Sequence, residues 1–179
     1  MSPFWWFVLA AILVLSPMSM LKPSPRQKRL VMLREKARHL GIRVTLTSQQ
    51  LDPGLKLEGA AYRWLRPADA PAMPGYLCLL RCEEGRQRGA LWTDGWERVR
   101  GAPELLTEAQ RQLLDHFLTL LPADAHAVEW GSATLSFWWH ERGDTGLLEV
   151  LHPVVQAMLA EPVRPVPRPN LSNRLAGGS

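Results

Sequence analysis

The chain has 179 residues, 46% of them hydrophobic, with 21 Lys and Arg against 17 Asp and Glu and a formal net charge of +4. The charge is uneven: residues 22–43 hold eight bases and one acid, whereas residues 44–179 hold thirteen bases and sixteen acids. The length supports one domain with its own core, and the excess of acid in that domain argues against nucleic acid as a partner.

The first feature along the chain is Phe4 to Leu21, eighteen residues without a charge. As a helix rising 1.5 Å per residue it would reach about 27 Å, close to a bilayer's hydrocarbon thickness. The expectation is a transmembrane anchor over residues 1–22. It is favoured over a cleaved signal peptide because no basic segment precedes the run and no small-x-small site follows it. Trp5 and Trp6 suit the headgroup level at one end, and Lys22, Arg26, Lys28 and Arg29 form a membrane-interface collar at the other. The positive flank places the N-terminus in the periplasm and the rest in the cytoplasm of a bacterial inner-membrane protein, beside anionic lipid headgroups.

Ser24-Pro25 reads as a helix start, and Gly41 as a stop, giving a basic juxtamembrane helix over residues 23–41. Leu30, Leu33, Ala37 and Leu40 form an apolar stripe that lies on the membrane or packs on the domain behind it. Packing is favoured, because strand-like residues 42–46 follow at once.

Residues 57–65 hold a strand, and the proline-rich residues 66–75 a loop. Strands follow at 76–83, 90–93 and 96–100, with Asp94-Gly95 as a hairpin turn. Cys78 and Cys82, four apart in an extended strand, are too distant for a disulfide and read as buried free thiols. Thr107-x-x-Gln110 opens an amphipathic helix that Pro122 ends. A second hairpin is expected with Gly131-Ser132 as its turn, so that Trp130 opposes Ala133, Val128 opposes Leu135 and His126 opposes Phe137. Pro153 suggests a helix near 153–160, with 147–151 left open. The proline-rich residues 161–179 read as a disordered tail. The expected fold is α+β: a transmembrane helix, an amphipathic juxtamembrane helix, then an antiparallel sheet with one or two packed helices forming a cytoplasmic domain over 42–160.

The sequence contains no phosphate loop, dinucleotide fingerprint or nucleophile elbow. The five histidines are scattered, and His140-Glu141 does not begin a zinc motif because Asp144 stands where the second histidine belongs. No catalytic, cofactor-binding or metal-binding residue is assigned, and no cofactor is expected. Most of Trp64, Trp92, Trp96, Trp130, Trp138 and Trp139 read as core. Trp138 lies on the hairpin face opposite Leu135 and Phe137, and beside His140 it forms a candidate partner surface.

The junction Leu21-Lys22-Pro23 through Arg29-Leu30, with its run KPSPRQKR, resembles that of the YajC-type accessory subunit of the bacterial preprotein translocase. The resemblance covers about a quarter of the chain and implies association with the translocase. The expected function is a non-enzymatic adaptor or accessory subunit with a membrane protein partner. The alternatives are a membrane-anchored enzyme with an unrecognised site and, with topology reversed, a periplasmic binding module.

Overall fold

Ser24 caps the first helix reciprocally. Its Oγ accepts from the Gln27 N–H at 3.2 Å while its own N–H donates to Gln27 Oε1 at 2.7 Å. With Pro25 at the first helical position, α1 (Pro25–His39) begins there, and Lys36, Arg38 and His39 in its last turn suit the negative end of its dipole. The computed structural model describes residues 5–6, 24–52, 55–70 and 75–161.

Among the described residues seven strands follow: β1 (Arg43–Asp52), β2 (Leu55–Leu65), β3 (Leu77–Arg81), β4 (Ala90–Thr93), β5 (Trp96–Arg100), β6 (Ala125–Trp130) and β7 (Thr134–Trp139). Between β5 and β6 lies α2 (Glu108–Leu120), opened by a Thr107–Gln110 capping box, and α3 (Leu147–Ala160) closes the described chain. The strands make one antiparallel sheet in the order β1-β2-β7-β6-β3-β5-β4. The architecture is α+β.

Helices α1, α2 and α3 all contribute to a core on one face of the sheet. Alternation along β2, β7, β6 and β3 sends Tyr62, Trp64, Phe137, Trp139, Val128 and Leu79 to that side. Leu33 and Ala37 of α1, Phe117 of α2 and Val155 of α3 meet them there, each 0% exposed. The apolar stripe of α1 thus packs on the domain. Phe137 is the hub, with ring centroids 5.6 Å from Tyr62, 5.9 Å from Trp64, 5.5 Å from Trp139 and 6.3 Å from Phe117. Such pairs contribute about 0.5–1.5 kcal/mol each beyond area burial.

The opposite face holds a second, smaller cluster of Leu57, Ala61, Cys78, Leu80, Ala127 and Trp138. The distal half of the β1–β2 hairpin bends over it. Leu57 belongs to that cluster, and Gln49 of β1 lines the same cavity as Tyr76 and Glu129 across the sheet. Gly59 sits at the bend with φ +120°, and a Cβ there would lie 2.7 Å from the Trp139 carbonyl oxygen. Only glycine permits both the backbone angle and the approach.

Among the described residues no helix is long and apolar enough to cross a membrane, which overturns the transmembrane helix as an element of this fold. The residues given to it, 1–22, lie outside the described ones except Trp5 and Trp6, which are helical and 66% and 72% exposed. The 162–179 portion of the expected disordered tail also lies outside them.

The second hairpin has a longer turn than expected. Trp130 pairs with Leu135 and Val128 with Phe137, and the Gly131 N–H donates to the Thr134 carbonyl at 2.8 Å. The offset from the expected register is two residues, so residues 128–130 and 135–137 keep their faces. Phe137 thus pairs with Val128 rather than His126, and a bulge between Ala125 and Ala127 turns Ala125 to the main core while Ala127 joins the opposite face. The last helix runs unbroken from Leu147 through Pro153. Leu148, Leu151, Val155, Met158 and Leu159 all bury against the core, and that packing overrides the proline's local cost. Of the two free thiols, Cys78 is buried but Cys82 is exposed.

Candidate functional site: a cationic edge and a polar cavity

Two places gather functional side chains. The first is the seam between α1 and β1, fixed by a residue in an unusual conformation. Glu141, just after β7, is 5% exposed with φ +57°, where a side chain other than glycine is strained. That conformation turns its carboxylate toward α1. Arg34 donates to both oxygens, Nε to Oε1 at 2.9 Å and Nη2 to Oε2 at 2.5 Å. The Tyr62 hydroxyl donates to Oε1 at 2.8 Å, and Arg29 Nη2 reaches the Glu141 carbonyl at 3.5 Å. A bidentate guanidinium–carboxylate pair is the strongest form of ion pair a surface helix makes. Burial, and then the Glu141 carboxylate, push the Tyr62 phenol far above its usual range, so it remains a donor. The hydrogen bond to Glu141 likewise raises Arg34. Lys36 adds a more exposed pair with Glu149 of α3 at 2.6 Å.

Clamped this way, α1 turns Lys28, Val31, Met32 and Arg38 outward, with Val31 64% and Met32 56% exposed. Beside it runs a groove of about 520 Å³ lined by Arg34, Arg38, Arg43, Val44 and Leu46. β1 is the sheet's edge strand, and Thr45 to Gln50 are all exposed.

The second place is the cavity beneath the β1–β2 hairpin, of about 630 Å³, whose walls include Gln49, Arg63, Tyr76, Glu129, Thr134 and Ser136. Glu129, in its wall, is 6% exposed. The Tyr76 hydroxyl donates to its Oε1 at 2.6 Å and Trp138 Nε1 to its Oε2 at 3.0 Å. Burial, then the bond to Glu129, push the Tyr76 phenol well above its usual range. Burial, then the Glu129 charge, push the Cys78 thiol up to about 12, so it stays protonated and unreactive. Across β7, Arg63 Nε donates to Ser136 Oγ at 3.1 Å.

Trp138 falls on the face expected of it, opposite Leu135 and Phe137, but is 0% exposed, because the bent hairpin and its own bond to Glu129 bury it. It is therefore no part of an exposed partner surface. His140 is exposed and stacks on His126, ring centroids 5.0 Å apart and 21° between planes. Trp64, Trp96, Trp130 and Trp139 are core, and Trp92 lies half-buried against α2, donating to Asp115 at 2.7 Å. Of the proposed collar, Arg26 and Lys28 are exposed, Arg29 is half-buried against Glu141, and Lys22 lies outside the described residues.

Reading the residues in order missed Glu141, Arg63, Tyr76 and Glu129. Only Glu129 carries a local signal: an acid inside a strand on the face that also presents Trp138. Among the described residues no group of three or more His, Cys, Asp or Glu could hold a metal ion. Comparison with protein-family models, curated proteins and solved structures finds no match to this chain.

Proposed function

We propose that this chain is a non-enzymatic adaptor, an accessory subunit of a membrane complex, which docks an extended acidic segment of a partner protein along β1. The observation that carries this reading is an edge strand of ten residues with no strand on its outer side among the described residues. Sheets ordinarily shorten, charge or cover such an edge. The opposite edge is shortened in that way, since β4 has four residues. β1 is long, uncharged from Val44 to Leu51, and offers the unpaired backbone groups that strand addition uses.

The flanking side chains define the partner. Leu46, 61% exposed, is an apolar anchor. Arg38 and Arg43 line the groove on one side of it, and Arg26 and Arg142 the groove on the other. Main-chain pairing supplies affinity, and the guanidinium groups select acidic side chains and speed encounter. The resemblance to the YajC-type subunit makes the preprotein translocase one complex in which to look for that segment. Anionic lipid facing Lys28, Val31, Met32 and Arg38 is the rival occupant.

The test uses the full chain, titrated with the peptide Glu-Leu-Glu-Leu-Glu and, separately, with phosphatidylglycerol vesicles. The peptide is expected to shift the amide resonances of Thr45 to Gln50. Its affinity should fall with salt and weaken at least tenfold in the variant Arg38→Glu/Leu46→Glu. Silent β1 amides, whether or not vesicles bind, would sink the reading.

A further inference from the structure

Independently of the docking edge, the cavity under the hairpin holds two opposite charges that do not meet. Glu129, Ser136 and Arg63 lie in register on β6, β7 and β2, on one face of the sheet. With neighbouring strands about 4.8 Å apart, Glu129 and Arg63 stand about 10 Å from each other across Ser136. Both line the cavity, and no ion pair joins them. Arg63 commits Nε to Ser136, while its Nη atoms make no hydrogen bond to a described residue. Arg43 stands directly opposite Arg63 in the β1–β2 register, a like-charge pairing that raises the positive potential at this end. Each Glu129 oxygen accepts one bond, from Tyr76 or Trp138, and a carboxylate oxygen has room for a second. Those two donors also hold the carboxylate in place, so binding would not have to order it.

We propose that this cavity is a binding site for a small zwitterion, with a carboxylate or phosphate held by Arg63 and Ser136 and an ammonium held by Glu129. At about 630 Å³ the cavity is of ligand size, and its polar walls suit a hydrophilic molecule rather than an acyl chain. Gln49, on the bent hairpin, closes over the ligand from the β1 side. A ligand bearing one charge would leave the other end of the row unanswered, and that is the basis of selection.

Calorimetric titration of the full chain with O-phosphoethanolamine and 4-aminobutyrate tests this, and the pair distinguishes phosphate from carboxylate at the anionic end. At least one of them is expected to bind, with inorganic phosphate, butyrate and ethylamine each at least tenfold weaker. Arg63→Gln should weaken the zwitterion at least tenfold while leaving ethylamine unchanged. Glu129→Gln should do the converse, weakening the zwitterion but not inorganic phosphate. Should Glu129→Gln fail to fold, Arg63→Gln still decides, since Arg63 is part of no buried cluster. No binding of either zwitterion, equal binding of a singly charged probe, or an unchanged affinity in Arg63→Gln would overturn the assignment.

Discussion

The two faces of the sheet are built from the same strands by opposite rules. On the helix side every inward position of β2, β6 and β7 is apolar or aromatic, and three helices exclude water from them. On the hairpin side a small apolar patch gives way, within one strand length, to Glu129, Ser136 and Arg63 around a cavity. A face packed by dispersion loses stability with every atom removed. A face organised by hydrogen bonds loses mainly when a donor or acceptor is left alone. The helix side therefore holds the fold, and the hairpin side is free to bind.

The sharpest test of that contrast is Phe137→Ala. Its ring touches four other aromatic rings on three elements, and it is 0% exposed. Truncation should cost about 3–5 kcal/mol, seen as a lower urea midpoint with an unchanged slope. Glu141→Gln comes next. It leaves the Arg34 guanidinium facing a neutral amide, with a donor group where one carboxylate oxygen had been. A broken buried pair costs about 3–5 kcal/mol, but Arg34 is 35% exposed, so about 2–3 kcal/mol is expected here. Hydrogen exchange should show α1 opening before the sheet. Loss spread evenly over all elements would mean that α1 is held by Leu33 and Ala37 rather than by the clamp.

What the sequence disclosed follows the same division. Alternation revealed which residues of β6 and β7 share a face, and an error of two residues in the hairpin turn could not undo it, because the period of a strand is two. Ser24-Pro25 and the Thr107-x-x-Gln110 capping box marked two helix starts from short local motifs. Pro153 misled, because the core contacts of α3 that outweigh it come from strands far away in the chain. Glu141 was illegible: its role needs a left-handed backbone, an arginine 107 positions earlier and a tyrosine 79 positions earlier. Alternation puts Trp138 on the correct face but leaves open what covers it, since nothing local shows that the β1–β2 hairpin bends at Gly59. The site is made by that bend, so its parts could not be read as a group.

On the hairpin side, Trp138→Phe keeps most of the ring and removes one donor. Glu129, only 6% exposed, then loses the bond from Nε1 to its Oε2, which should cost about 1–2 kcal/mol. If the loss instead approached that of Phe137→Ala, the second face would be a packed core like the first, and the contrast between them would fail.

The smallest expected effect lies at the bulge where His126 meets His140. Burial, followed by the neighbouring imidazole of His140, lowers the His126 pKa below its ordinary 6.5; Asp124 and Glu58 act in the opposite direction. Below pH 6.5 the unfolded chain therefore binds a proton that the folded chain resists, so acid lowers stability. The loss begins as pH falls through about 6.5 and is complete only below the depressed folded value. Melting temperature followed from pH 7.5 to 5 should decline more steeply for the natural chain than for His126→Gln, which has no proton to gain. Equal slopes would place the acid sensitivity elsewhere and make the stacked pair a packing contact of the bulge, one that leaves both faces of the sheet indifferent to its charge.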